Sequence, residues 1–289
     1  MEAEIADLLN LLELEQLEVN LFRGESRDVG SPQVFGGQVL GQALTAASAT
    51  VAGRVVHSLH AYFLRRGDFN APIVYQVDRS LDGHSFSNRR VVAIQHGEQI
   101  FNMAASFQVV EEGLDHQIDM PSVPAPEDLP DQTTPPPDMV RHMSERLKQF
   151  FAQPRPFTFR LVQQPGAEQQ KAGRMEPARQ VWFKAVGKLP DDERLHRNLL
   201  AYASDFFLLG TSTLPHGISE FEGRLVVASL DHAMWFHRPL RVDDWLLYDM
   251  ESPSASGARG FAQAGVFSRD GRLVATIAQE GLVRIKRGA

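Results

Sequence analysis

The sequence contains no cysteine among its 289 residues. Disulfide bonds, cysteine-ligated zinc sites and a cysteine nucleophile are therefore excluded, and cysteine usage gives no information about the compartment. A Gly-x-Ser-x-Gly segment is also missing, so the exposed serine of a nucleophile elbow is absent as well. Any reaction that this chain catalyses has to proceed without these two kinds of covalent nucleophile.

Long apolar runs are scarce. Runs such as residues 206–209 fall far short of the roughly 20 residues that a membrane-spanning helix needs. Apolar residues make up 43% of the chain and charged residues 22%, which is ordinary for a globular protein. We therefore expect no insertion into a membrane.

The two ends of the chain lack targeting features. The first residues, MEAEIADLL, are acidic, unlike the basic start of a signal peptide or an Arg-rich transit peptide, and the final KRGA is not a peroxisomal Ser-Lys-Leu signal. These features predict a cytoplasmic protein. The net charge of −7 argues against a nucleic-acid partner, although a local basic patch for a phosphorylated small molecule is compatible with it.

A weak internal repeat divides the chain into two halves. Three short segments of the first half have counterparts in the second, in the same order and at offsets of 169, 172 and 174 residues. The pairs are Val39-Leu40-Gly41 with Leu208-Leu209-Gly210, His60-Ala61 with His232-Ala233, and His96-Gly97 with Asp270-Gly271. Each match alone means little, but their common order and offset indicate a duplication.

Proline marks the boundary between the halves. Residues 121–156 contain nine of the 17 prolines, and proline disfavours regular structure because it fixes φ and removes a backbone donor. We therefore predict an N-terminal domain over residues 1–115, a Pro-rich linker over residues 116–155 and a C-terminal domain over residues 156–289.

Each half shows the same order of elements. Residues 36–51 predict a buried helix rich in Ala, Leu and Gly, and residues 192–214 predict its counterpart. The β-rich runs that follow are residues 55–64, 73–80, 87–95 and 99–109 in the first half, and 225–230, 245–251, 260–268 and 273–284 in the second. His96-Gly97 and Asp270-Gly271 have the spacing of tight hairpins. A helix followed by consecutive strands predicts an α+β fold of two tandem hotdog domains, each a long helix wrapped by an antiparallel β-sheet.

Several segments resemble the medium- and long-chain acyl-CoA thioesterase II family over nearly the whole chain. The segments are VFGGQVLGQAL (34–44), VHSLHAYFLRRGD (56–68), DGHSFSNRRV (82–91), RQVWFKAVGKLPDD (179–192), YASD (202–205), SLDHAMWFHRP (229–239), SASGARGF (254–261) and AQEG (278–281). The resemblance implies hydrolysis of medium- to long-chain fatty acyl-CoA to free fatty acid and CoA. It also implies a homodimer or homotetramer of double hotdogs, with no metal and no bound cofactor, since CoA is part of the substrate.

The resemblance also assigns a hydrolytic water to Asp205, Ser229 and Gln279. Many relatives have Thr where this chain has Ser229, and Arg65-Arg66 stands where an Arg-Pro pair is common. Asp205 is the ionisable member of the three and so the candidate general base. Taken alone, an Asp within a predicted helix is more often a surface residue or a cap, Ser229 is typical of a packed strand hydroxyl, and Gln279 of an exposed edge residue.

Further candidates concern the oxyanion and the substrate. Gly36 and Gly37 open a predicted helix, where backbone N–H groups could meet a developing oxyanion, although glycine there is also typical of close packing. His57 is a candidate neighbour of the site. Arg89, Arg90 and Arg259 are candidates for the CoA phosphates, whereas exposed arginines on strands are common.

Two other functions stay open at this stage. One is a hotdog hydratase or dehydratase acting on enoyl thioesters with a carboxylate and a histidine, and the other is an acyl-CoA binding protein without turnover. Release of the thiol would separate them, because a thioesterase frees CoA and the other two do not.

Overall fold

The computed structural model describes residues 3–28, 33–130, 145, 148, 155–162, 175–218 and 224–286. The helices within these ranges are α1 (Ala3–Leu12), α2 (Gly36–Ala49), α3 (Glu193–Ala203) and α4 (Leu208–Thr211), with 3-10 turns at Pro126–Asp128 and Leu214–His216. The strands of the first half are β1 (Glu15–Glu18), β2 (Leu21–Gly24), β3 (Val55–Phe63), β4 (Ile73–Asp82), β5 (Phe86–Gln95) and β6 (Glu98–Gln108). Those of the second are β7 (Phe157–Leu161), β8 (Ala178–Ala185), β9 (Leu225–Ser229), β10 (Asp231–Phe236), β11 (Leu246–Ser256), β12 (Arg259–Ser268) and β13 (Leu273–Ile285).

All of these strands belong to one antiparallel sheet. Its order is β1-β2-β4-β5-β6-β3-β10-β13-β12-β11-β8-β7, with β9 paired to the far end of β13. The two halves meet where β3 pairs with β10, placing His60 opposite Ala233 and Ala61 opposite His232. Exchanging the halves at the offset of 172 residues maps each of these pairs onto the other, as a duplication predicts.

The eight predicted strands are present, with ends shifted by a few residues at most positions. At the hairpin, His96 and Gly97 have φ values of 51° and 77°. Positive φ at both central residues is typical of the tight turn that the sequence predicted. Gly271 has φ 87° in the second predicted hairpin. The sequence patterns did not indicate α1, β1, β2, β7, β8 or β10.

Helix α2 confirms the predicted buried helix of the first half. It runs from Gly36 to Ala49, and most of its side chains are inaccessible to solvent, including the polar Gln38 and Gln42. It packs on β5 and β6 on one side and against α3 of the other half on another. No helix in the described ranges is long and apolar enough to cross a membrane.

The predicted single helix over residues 192–214 is wrong. Helix α3 ends at Ala203 and α4 begins at Leu208, and between them Phe207 adopts a left-handed backbone with φ 67°. The rings of Phe206 and Phe207 pack in an aromatic cluster. Both contact the ring of Phe159, with centroid distances of 5.3 and 5.1 Å. Tertiary packing therefore interrupts a segment whose local sequence is helical.

The predicted linker, residues 116–155, falls partly outside the described residues. Its first part packs on the outer face of the second half, where Met120 and Val123 contact the side chains of a small cluster that includes Trp182 and Trp245. The Trp182 indole donates a hydrogen bond to the Pro124 carbonyl at 3.0 Å. This stretch has no regular structure apart from one 3-10 turn, yet it is fixed by side-chain contacts.

Candidate active site

Asp205 lies in the interruption between α3 and α4. Ser204 caps the C-terminus of α3, and its carbonyl oxygen, which a continuing helix would use, accepts a hydrogen bond from the Tyr248 hydroxyl at 2.6 Å. The Asp205 carboxylate then faces the first turn of α2, where the Gly37 N–H donates to its Oδ2 at 2.9 Å. A helix N-terminus is a favourable partner for a carboxylate. Asp205, the candidate base from the second half of the chain, is thus held by the backbone of the first half.

Gln279 and Ser229 reach the same carboxylate from the sheet. Gln279 on β13 is fully buried, and its side-chain nitrogen donates to Asp205 Oδ1 at 2.8 Å and to Ser229 Oγ at 2.9 Å. Its oxygen has no hydrogen-bond partner among the described residues. The structure therefore brings together the three residues that the family resemblance assigned to the water.

A break between β9 and β10 places Ser229. Leu230, between the two strands, donates its N–H to the Glu280 carbonyl at 2.9 Å, and the Glu280 N–H donates to Asp231 Oδ1 at 2.7 Å. These side-by-side contacts interrupt the regular ladder along β13 beside Gln279. Ser229, the last residue of β9, pairs with Gly281 of β13 where this ladder ends, and its hydroxyl meets the Gln279 amide.

The glycine pair allows the two halves to approach each other. A Cβ atom on Gly36 would come within 2.7 Å of Asp205 Oδ2, and one on Gly37 within 2.2 Å of the Tyr202 carbonyl oxygen. The second contact is with backbone and cannot be relieved by a rotamer change. Of the two predicted oxyanion donors, Gly37 already uses its N–H on Asp205, while Gly36 lines the neighbouring cleft.

A cleft of about 250 Å³ opens beside these residues. Gly36 of the first half and Ser229 of the second half both line it. The remaining lining is largely apolar, with the exception of Gln33 and the segment Arg65-Arg66-Gly67. Apolar lining residues include Val34, Val39, Phe63, Leu64, Ile100 and Phe101. A long apolar group can therefore lie next to the polar cluster.

Buried groups behind Asp205 fix its chain position. Burial, with a smaller contribution from the Asp205 charge, raises the pKa of Tyr248 well above its usual value, so its hydroxyl stays a donor. The Ser204 hydroxyl contacts His232 Nε2 at 2.9 Å, and burial lowers the pKa of His232 to about 3. No role for Tyr248 or Ser204 was evident in the sequence, and no local pattern marks them, because their partners lie far away along the chain.

The other predicted candidates do not join this cluster. The His57 ring contacts Ser106 Oγ at 2.8 Å, and burial followed by the Arg197 charge lowers the pKa of His57. Arg259 is exposed and paired with Glu280 at 2.9 Å, and Arg90 is exposed on β5 outside the cleft lining.

Arg89 differs from the exposed arginine that the phosphate hypothesis requires. It is 1% exposed, and its guanidinium donates to the Thr50 hydroxyl, the Leu81 carbonyl and Asp82 at 2.8, 2.9 and 2.6 Å. These bonds tie the end of α2 to β4, so the side chain is engaged inside the fold. Within the described ranges, no cluster of His, Asp and Glu has the arrangement of a metal site.

Comparison with known families gives two matches. Residues 152–282 match the model described as acyl-CoA thioesterase, and residues 24–108 match the acyl-CoA thioesterase N-terminal domain. Acyl-CoA thioesterase 2 of Haemophilus influenzae is 44% identical over 280 residues, covering 96% of this chain and 97% of that protein. Acyl-coenzyme A thioesterase 8 of Mus musculus is also 44% identical, covering 96% and 88% of the two chains.

Solved structures agree with the sequence matches. The crystal structure of an acyl-CoA thioesterase II from Mycobacterium marinum superposes with a TM-score of 0.79 at 44% identity, over 97% of this chain and 99% of that one. A hot dog fold protein from Alicyclobacillus acidocaldarius, 19% identical, superposes with a TM-score of 0.76 over 96% and 97% of the chains. The predicted tandem hotdog architecture is thereby confirmed.

Proposed function

This chain belongs to the acyl-CoA thioesterase family and is a thioester hydrolase, and from that premise we propose that it cleaves medium- to long-chain fatty acyl-CoA with a water held by Asp205, Ser229 and Gln279. The observation that carries the mechanism is the Gln279 amide, which bonds the carboxylate and the hydroxyl at once beside a cleft. The two alternative functions, an enoyl-thioester hydratase and a binding protein without turnover, fit less well because these relatives are named as thioesterases.

The hydrogen-bonding groups of Asp205, Ser229 and Gln279 suit a bound water. Gln279 uses both hydrogens of its amide nitrogen on Asp205 and Ser229, so the Ser229 hydroxyl accepts there and keeps its own proton to donate. Asp205 Oδ2 accepts from the Gly37 N–H and Oδ1 accepts from the Gln279 amide, and a carboxylate oxygen has lone pairs that can also accept a water proton. The free Gln279 oxygen supplies one more acceptor among the described groups.

The reaction follows from these roles. Asp205 takes a proton from the water while the water oxygen attacks the thioester carbonyl carbon, and the C–S bond then breaks as the proton passes to the departing thiolate. The products are a free fatty acid and CoA. A positioned base contributes about 10²- to 10⁴-fold to the rate.

Gly36 is our candidate for stabilising the oxyanion. It lies in the first turn of α2, lines the cleft and carries no side chain between its N–H and a substrate. An oxyanion donor of this kind contributes about 3 to 4 kcal/mol to transition-state stabilisation. The apolar lining around Val39, Phe63 and Phe101 suits an acyl chain and supports the preference for medium to long chains.

The proposal is tested by measuring thiol release from acyl-CoA substrates of C4 to C18. We expect turnover that rises toward medium and long chains, and Asp205→Asn should lower kcat by about 10²- to 10⁴-fold because the base is lost. Asp192→Asn is the control, since it neutralises the N-cap carboxylate of the same helix α3 with another good cap.

Two results would count against the proposal. Absence of thiol release with every acyl-CoA would remove the substrate class, and activity of Asp205→Asn within threefold of wild type would remove Asp205 as the base. Circular dichroism and the thermal midpoint of each variant separate a lost base from a lost fold.

A further inference from the structure

One arginine at the cleft has no partner to neutralise it. Arg66 lines the cleft together with Gly36 and Ser229, and its side chain is exposed. In the part of the chain that the structure describes, no hydrogen bond or ion pair holds its guanidinium. A free guanidinium beside a substrate cleft is available to an anion.

The charged groups around Arg66 are already engaged with one another. Arg65 donates to the Gln99 carbonyl at 2.7 Å and pairs with Glu98 at 2.9 Å. Asp68, two residues beyond Arg66, accepts from the Asn70 N–H at 2.9 Å and contacts His96 Nε2 at 3.1 Å. Neither acid is paired with Arg66, which leaves a local positive charge at the cleft of a chain with a net charge of −7.

The backbone around Arg66 is fixed on both sides. The N–H groups of Leu64 and Arg65 donate to the Ile100 carbonyl at 2.9 and 3.2 Å, and the Val34 N–H donates to the Gly67 carbonyl at 3.0 Å. The second contact ties this segment to the residues that lead into α2. Arg66 is therefore carried by backbone that is already fixed to the residues leading into α2, so binding an anion would order its side chain but not the loop.

We propose that Arg66 binds a phosphate of the thiol half of the substrate while the acyl group occupies the apolar part of the cleft. This inference rests on the proposed function, because it assumes a phosphorylated thioester. A guanidinium donates two parallel N–H groups to phosphate oxygens, which gives both attraction and orientation. Arg89 and Arg259, which the sequence had suggested for this role, are bonded to other groups.

The test compares thioesters of one acyl group on three carriers: CoA, 4′-phosphopantetheine and pantetheine, which has no phosphate. We expect Arg66→Ala to lower kcat/KM for the CoA thioester by about 3- to 10-fold, mainly through KM, and to change the pantetheine thioester by less than twofold. Arg66→Lys should recover part of the loss. Arg194→Ala, which removes an exposed arginine of helix α3 outside the cleft lining, should leave all three substrates unchanged.

The phosphopantetheine substrate identifies the phosphate. A loss like that with CoA assigns Arg66 to the phosphate that both carriers share, and an unchanged value assigns it to the nucleotide phosphates. In both cases the loss with CoA should shrink at high ionic strength.

Two patterns overturn the inference, namely an equal loss with CoA and pantetheine thioesters or no loss with either. Both presuppose an active wild type, so they are distinct from the failure of the proposed function, in which wild type releases no thiol.

Discussion

His232 is buried completely and has one hydrogen-bond partner among the described residues, the Ser204 hydroxyl. The hydroxyl also contacts the Ala201 carbonyl at 2.8 Å and so uses its proton there. His232 Nε2 must then be the donor, which leaves Nδ1 as an unpaired acceptor and the ring neutral. Burial lowers the pKa of His232 to about 3 because the charged ring would lose its hydration.

The His232 shift predicts a pH dependence of stability. An unfolded histidine has a pKa of about 6.5, so between pH 6.5 and pH 3 the unfolded chain binds the proton and the folded chain does not. The contribution of a neutral His232 is thus complete above pH 6.5 and is lost as the pH falls, by roughly 2 kcal/mol at pH 5.

This dependence is measurable by urea unfolding at pH 7.5 and at pH 5. The variant His232→Gln keeps an amide donor for Ser204 but cannot titrate, so the loss of unfolding free energy between the two pH values should be smaller than in wild type. His84→Gln replaces an exposed histidine and should keep the wild-type loss. Equal losses in wild type and His232→Gln would show that His232 does not carry the effect.

At the scale of elements, the interruption between α3 and α4 positions Asp205. No Gly or Pro lies between Ser204 and Phe207, so no local breaker marks it, and a left-handed phenylalanine costs on the order of 1–3 kcal/mol. Aromatic packing of Phe206 and Phe207 and the Tyr248 bond to the Ser204 carbonyl offset that cost. The interruption could not be predicted from the sequence of this segment, because the residues that stabilise it lie on β7 and β11.

Tyr248→Phe tests this explanation. Losing the hydroxyl leaves the buried Ser204 carbonyl without its partner, and we expect a loss of about 1–3 kcal/mol of unfolding free energy. Because Asp205 follows directly, kcat should fall more than KM changes. Chemical denaturation and steady-state kinetics on the same preparation give both quantities.

Tyr75→Phe is the matched control, since Tyr75 is equally buried and donates to Gln42 Oε1 at 2.7 Å within the first half. It should lose stability but keep kcat. If Tyr248→Phe keeps wild-type kcat as well, the interruption does not depend on this bond for the position of Asp205.

At the scale of the whole molecule, the two halves share one sheet and one core. The β3–β10 pairing continues the sheet across the duplication, and a single cluster of buried side chains includes Leu40 of α2 and Leu199 of α3. Neither half can expose its share of this core without exposing the other's. The proposed active site follows the same arrangement, with Gly36 and Gly37 from one half and Asp205 from the other.

The shared core predicts one cooperative unfolding transition. All three tryptophans, Trp182, Trp235 and Trp245, lie in the second half, so their fluorescence reports on that half while far-UV circular dichroism reports on both. The two signals should give the same urea midpoint. Leu40 lies in the first half at a fully buried position. Leu40→Ala should lower the midpoints of both signals, by an amount that corresponds to a loss of about 2–5 kcal/mol of unfolding free energy.

Exposed Leu17→Ala serves as the control and should shift neither midpoint appreciably. Separate transitions, or a Leu40→Ala effect that the tryptophans do not detect, would show that the halves unfold independently. The predicted cytoplasmic location, the homo-oligomeric assembly and the domain boundaries stay predictions.

The sequence by itself determined the architecture, because duplication, hydrophobic periodicity and turn residues are local or repeated signals. Its repeats and β-rich runs predicted two hotdogs, and His96-Gly97 marked its hairpin. Its resemblance to the thioesterase II family also named Asp205, Ser229 and Gln279. What the residues alone left open was whether these three could meet.

The tertiary structure decided which of these side chains meet. The Gly37 bond to Asp205 spans 168 residues, and the Gln279 bonds span 74 and 50, so no spacing in the sequence reveals them. The folded structure buries Arg89, which the sequence had suggested for the substrate, and places Arg66 at the cleft. The physical reason is that burial and hydrogen-bond satisfaction depend on which distant elements pack together, and only the folded chain fixes that packing.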